Sequence, residues 1–112
     1  MHERRRARRV LVTTLTSFFG ERTVTAGIIR DLSPKGLRVM TEVEVRTGDL
    51  VELKVDLPGN RGALLARARV IWDGMSGNRF HPHLVGMEFI QISAEDLARL
   101  EEFVRSTGDD LL

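Results

Sequence analysis

Two short stretches carry residue types that could do chemistry. The first is Glu3-Arg4-Arg5-Arg6-Ala7-Arg8-Arg9-Val10, with five guanidinium groups in six consecutive positions. A guanidinium is a planar fork of donors that fits phosphate oxygens and base edges two hydrogen bonds at a time. The second is Asp31-Leu32-Ser33-Pro34-Lys35-Gly36. Asp and Ser in such a segment hydrogen-bond nearby backbone, Pro presets its own dihedral, and Gly takes a left-handed conformation. Singly, each stretch has a plain reading. One is a solvated basic tail that holds any polyanion weakly, and the other is a turn of common composition.

The rest of the chain bounds what these residues could serve. Its 112 residues suit one domain, and 42% hydrophobic content can fill a core. The absence of cysteine excludes disulfides, thiolate metal sites and cysteine nucleophiles. No apolar run approaches membrane-spanning length, and no apolar stretch follows the basic start as a signal peptide requires. A cytoplasmic protein without membrane insertion is expected. The net charge of +1 hides an asymmetry, because residues 1–9 carry +4 and residues 93–112 carry −4. Fifteen of the 17 basic residues are arginine, which favours forked recognition over diffuse attraction.

Strands must position these groups. Thr, Val, Ile and Leu dominate residues 10–90, and turn residues recur at short intervals. The pattern predicts strands over 10–16, 23–31, 37–41, 51–57, 64–73 and 83–90. The clearest is the fourth, where Val51, Leu53, Val55 and Leu57 alternate with Glu52, Lys54 and Asp56. In the fifth, Ala66, Ala68, Val70 and Trp72 share one face, with Arg67 and Arg69 on the other. The period then changes. Ser93 reads as an N-cap before Glu95 and Asp96, Leu97, Leu100 and Val104 form one helical stripe, and Gly108 stops the helix. Six short strands and a terminal helix predict an all-β barrel, antiparallel, with the helix packed on it. A two-sheet sandwich fits the same pattern. The expected organisation is a basic arm over 1–9, the barrel and helix over 10–107, and an acidic tail over 108–112.

Together the two stretches are more specific than either alone. Arg5 and Arg9 form RxxxR, and Asp31, Ser33 and Gly36 form DxSxxG. The pairing resembles the PilZ domain, a bacterial receptor module for the second messenger cyclic di-GMP. The resemblance covers nearly the whole chain. Val70-Ile71-Trp72 looks like the family's fifth-strand signature, and Gly86-Met87-Glu88-Phe89 like its GxxF strand. Arg4 and Arg8 also satisfy RxxxR, but Arg9 directly precedes Val10 and the strand, as the family pattern has it.

The resemblance implies a six-stranded PilZ-type barrel whose arginine arm closes over cyclic di-GMP on the barrel surface. Arg5 and Arg9 would fork onto phosphates or onto guanine O6 and N7. Asp31 would accept from the guanine N–H edge, Ser33 would add a hydroxyl contact, and Gly36 would let the backbone approach. Arg4, directly before the motif, is associated in the family with a stacked ligand dimer. Lys35 stands where many members have a first glycine, so it either crowds the ligand or adds a phosphate contact. With no output domain in these residues, an unidentified downstream protein would receive the signal. Arg9→Ala or Asp31→Ala is expected to abolish binding and leave the melting temperature nearly unchanged.

Other candidates point elsewhere with less force. Trp72 reads as a core or barrel-mouth residue, with stacking on a guanine as the alternative. His81-Pro82-His83 lacks a third metal ligand at suitable spacing, so surface histidines and no metal are expected. There is no P-loop, no Gly-x-Ser-x-Gly elbow and no His-Glu-x-x-His helix, so neither an enzyme nor a cofactor is expected. A nucleic-acid-binding barrel would expose stacking aromatics, yet only 5% of the chain is aromatic. A PilZ-like adaptor that binds only protein is the remaining alternative, and the intact motifs argue against it.

Overall fold

The computed structural model describes the backbone of residues 10–19, 24–59 and 61–111, and the side chains of residues 27–59 and 61–106. Six antiparallel strands close into a barrel: β1 (Val10–Phe19), β2 (Val24–Ser33), β3 (Gly36–Thr41), β4 (Leu50–Asp56), β5 (Ala63–Met75) and β6 (His83–Ile92). The order around the barrel is β1-β2-β3-β6-β5-β4, and β1 closes it by pairing with β4 from Thr16↔Val55 to Phe19↔Glu52. Closure pairs the sheet's two outer strands, β1 and β4, with each other.

Alternation explains most of the wall. Val51, Leu53 and Val55 of β4 face inward while Glu52, Lys54 and Asp56 face water, as the period of two requires. Leu37 and Val39 of β3 meet Met87 and Val85 of β6 inside. The interior also holds Ile29, Leu32, Leu64, Ala68 and Val70. A bulge falls in β2 between Ile29 and Asp31, another in β5 between Val70 and Trp72, and a third in β6 at Ile90, between Phe89 and Gln91. Each inserted residue reverses which side chains face in.

The barrel's two ends close differently. At the end where β5 begins and β6 finishes lies the helix α1 (Ala94–Leu111). Ser93 caps it, its hydroxyl accepting from Asp96 N at 3.0 Å, which contributes about 1 kcal/mol. Leu100, Phe103 and Val104 join the core. Arg99 ties the helix to the strands by donating to Ala63 O at 2.6 Å and Arg61 O at 3.0 Å. The helix continues through Gly108 to Leu111, past the stop expected from the sequence. One glycine inside a helix costs only about 1 kcal/mol and ends it only where a left-handed cap forms. At the other end, the loop between β3 and β4 folds back, with Gly48 N donating to Val70 O and Val70 N to Asp49 O. Val45 of that loop is buried in the core.

Candidate ligand-binding site

The Asp-x-Ser-x-x-Gly stretch forms the corner between β2 and β3, with Pro34 and Lys35 as its turn. Ser33 shapes it from within. Its buried hydroxyl accepts from Lys35 N at 3.2 Å and donates to Gly36 O at 3.4 Å. Gly36 is not left-handed, contrary to the turn reading. It is already the first residue of β3 and pairs with both Ser33 and Glu88. Its missing side chain serves β6, because a Cβ there would lie 2.0 Å from Met87 O. Phe89 N donates to Lys35 O at 2.8 Å, so the corner is hydrogen-bonded to β6.

The bulge between Ile29 and Asp31 turns Asp31 to the barrel's outer face, opposite Arg38. Asp31 is nevertheless 0% exposed. Its Oδ2 accepts from Arg38 Nε at 2.6 Å and also from Nη2. This hydrogen bond holds the Arg38 guanidinium proton more tightly than in an ordinary arginine, outweighing partial burial. The Arg38 side chain remains 34% exposed. Arg38 is therefore a candidate site residue that motif reasoning missed. Its only sequence signal was a place two residues after Gly36 on the same strand face. Because Asp31 is buried and ion-paired, Asp31→Ala removes structure, so a lowered melting temperature is expected in place of a nearly unchanged one.

The strand registers extend this row across the wall. Leu11 pairs with Asp31, Asp31 with Arg38, Arg38 with Gly86, and Gly86 with Trp72. Trp72 is not in the core. The bulge between Val70 and Trp72 reverses the alternation, and the indole lies outside, 38% exposed. It rests on Gly86, where a Cβ would come within 2.3 Å of the ring. The fifth-strand tryptophan and the GxxF glycine are thus two halves of one contact. One outer surface carries a buried carboxylate, a guanidinium fixed to it and an aromatic face. Such a surface can pair with a planar base and an anion.

Arg4, Arg5, Arg8 and Arg9 lie outside the described residues. Arg9 precedes Val10, which pairs with Leu32 beside Ser33, so the chain leads from the RxxxR stretch directly to the corner. His81 and His83 lie at the opposite end of β6, and among the described residues no three His, Cys, Asp or Glu side chains are grouped to hold a metal. No helix is long and apolar enough to cross a membrane, among the residues described.

Comparison with known proteins agrees with this geometry. A family model of the PilZ domain matches residues 3–106. The inhibitor of motility MotI/DgrA from Bacillus subtilis superposes with a TM-score of 0.84 at 16% identity, covering 97% of this chain and 53% of that one. The PilZ domain of YcgR from Escherichia coli, solved with c-di-GMP, gives 0.75 at 16% identity over 97% and 95%. The MrkH–c-di-GMP complex from K. pneumonia gives 0.77 at 15% identity over 98% and 55%. The chain spans about half the length of MotI and MrkH. At these identities the likeness is one of fold. No curated protein matches.

Proposed function

The chain belongs to the PilZ domain family, and from that premise we propose that it is a cyclic di-GMP receptor that signals to a separate protein. The observation that carries this reading is the row of Asp31, Arg38 and Trp72 beside the strand into which the RxxxR segment runs. Structures of YcgR and MrkH with c-di-GMP support the choice of ligand.

In this reading the arm supplies two guanidinium forks, from Arg5 and Arg9, to phosphates or to guanine O6 and N7. Each well-made bidentate contact contributes about 1–3 kcal/mol of discrimination. Asp31 accepts from the N1–H and N2–H edge of one guanine, with Arg38 holding the carboxylate in orientation. Ser33 adds a hydroxyl contact, and Trp72 offers a face for the base. Arg4, Arg8 and Lys35 add positive charge around the phosphates, and Arg4 favours a stacked ligand pair. The arm is the switching element: closing it over the ligand changes the surface offered to a partner. No step of this function is catalytic.

Isothermal titration with cyclic di-GMP tests the reading, with GTP and cyclic di-AMP as controls. Saturable heat with cyclic di-GMP alone is expected, and two ligands per chain would mark the stacked pair. No heat and no thermal shift at high ligand concentration would overturn it and leave the protein-only adaptor.

A further inference from the structure

Beyond the site, the hairpin that joins β5 to β6 departs from what folding alone requires. Its first strand, β5, runs on past its last partner in β4, and every β5 residue from Ile71 to Met75 is exposed. The turn, residues 76–82, is held by its own polar groups. Ser76 N donates to Pro82 O at 2.8 Å, and Ser76 Oγ donates to His81 O. Asn78 N donates to Ser76 Oγ, and Asn78 Oδ1 accepts from Phe80 N and His81 N at 2.8 and 2.9 Å. Gly77 supplies the left-handed step with φ +82°. This backbone, fixed by local bonds, presents Phe80 at 70% exposure and Met75 at 75%. Neither side chain belongs to the core formed by the described residues. A preorganised loop that presents an aromatic to water is the usual form of a docking anchor.

The geometry points to this tip as the surface by which the protein docks into an apolar pocket of a different protein, with carboxylates on the pocket rim. Residues 74–83 contain Arg79, His81 and His83 and no acid. The loop across the barrel end carries Glu44 and Asp49, but Glu44 lies 3.9 Å from Arg46 and Asp49 accepts from Arg46 N. Asp73 accepts from Thr47 N and Oγ1. The tip's permanent cation, Arg79, is exposed like Phe80 and Met75, and the acid at its base, Asp73, is engaged by Thr47. A second copy of this chain is a poor occupant. Its acidic helix sits at the opposite barrel end, so a tip-to-helix contact would run head to tail without closing. Two apolar side chains also fall far short of the roughly 1,200 Å² that a stable symmetric interface buries. A peg in a pocket already formed needs less area.

The docking site deepens the receptor reading, and only its control by ligand rests on that reading. Trp72 and Gly86 of the ligand surface lie three residues from Met75 and His83 on the same strand pair, about 10 Å along it. A ligand seated on Trp72 therefore bears on the base of the tip.

The test places the photo-crosslinking residue p-benzoylphenylalanine at Phe80, or at Leu65 as an exposed control on another face, in the full chain within its own cells. Expected is one dominant adduct from position 80 and none from 65. The crosslinked peptide should map to an apolar pocket flanked by Asp or Glu. Added wild-type protein should reduce the yield at least tenfold, while the folded Phe80→Ser/Met75→Ser variant should not. No adduct at 80, an equal adduct at 65, a dimer of this chain, or competition by the double variant would each overturn the proposal. An adduct whose yield ignores cyclic di-GMP keeps the docking site and removes its control by ligand. A failed ligand titration removes the receptor reading and leaves the adduct standing.

Discussion

At the corner between β2 and β3, polar side chains are buried, and at the tip between β5 and β6, apolar ones are exposed. Asp31 and Ser33 are enclosed and hydrogen-bonded, while Met75 and Phe80 stand in water. Both regions invert the ordinary distribution of side chains in a folded domain. The corner meets its desolvation penalty with an ion pair and close backbone packing. The tip compensates nothing within the fold. A buried polar group fully satisfied from within serves the fold and a ligand together. The exposed apolar pair on a loop fixed by its own bonds is where the proposed partner would dock.

The largest expected effect is at Asp31. Asp31→Ala leaves the Arg38 guanidinium without its carboxylate in a partly buried site. The melting temperature should fall, by the equivalent of about 1–3 kcal/mol, and cyclic di-GMP binding should drop by more than 100-fold, or about 3 kcal/mol. Calorimetry and titration on one preparation read both. If binding were lost with no change in melting, the Arg38 pair would contribute nothing to the fold, and the corner would resemble the tip.

The next effect separates two glycines on the two sides of the comparison. At Gly36 an added Cβ meets backbone at 2.0 Å, which cannot swing aside. Gly36→Ala should destabilise by about 1–3 kcal/mol or more, as overpacking does, and should pull the corner off β6. At Gly74, near the tip, nothing lies within 4 Å of the added Cβ. Gly74→Ala should stay within about 0.5 kcal/mol of wild type. Equal melting temperatures for the two would refute the distinction.

How much of this was readable in the chain follows the same division. The β4 alternation, the Ser93 cap and the buried stripe of α1 are local patterns, and the fold keeps them. The motif corner was legible because Asp, Ser, Pro and Gly each have a backbone preference. The bulges beside Asp31 and Trp72 were not, because one inserted residue reverses a face without altering composition. That reversal put Trp72 outside and set Asp31 against Arg38. The job of Gly36 was hidden for a related reason: the strand that crowds it lies about 50 residues away in sequence. Phe80 stood in a loop with no repeating pattern to mark it.

A smaller effect tests the bridge between the two regions. Gly86→Ala places a Cβ within 2.3 Å of the Trp72 ring, which must swing off the wall. The cost should be about 1 kcal/mol, because the ring has water to move into. Tryptophan emission should shift to longer wavelength, and cyclic di-GMP should bind several-fold more weakly. Unchanged emission would mean that the indole does not rest on β6, and the corner and tip would lose their connection.

The smallest effect comes from a carboxylate that shares Asp31's chemistry without its burial. Asp96 accepts from Arg99 Nη2 at 2.7 Å and from Leu65 N at 3.1 Å, and its side chain is 17% exposed. The Arg99 bond, then the Leu65 bond, hold its pKa below the ordinary 3.8, against a modest desolvation. A lowered folded-state pKa means that its stabilisation is complete above the unfolded value and disappears as pH falls through the lower one. Asp96→Asn should therefore destabilise at pH 7 by less than about 1 kcal/mol, given the solvent screening of a partly exposed pair. The gap from wild type should close in the acid limb below pH 3.8. Ligand affinity should not change, since Asp96 bonds to Arg99 and to the start of β5 and to no residue of the corner. A gap that persists at low pH would assign the effect to shape rather than charge. A loss of affinity would extend the site from the corner to the start of α1, and burial would no longer be what distinguishes Asp31 from an ordinary structural acid.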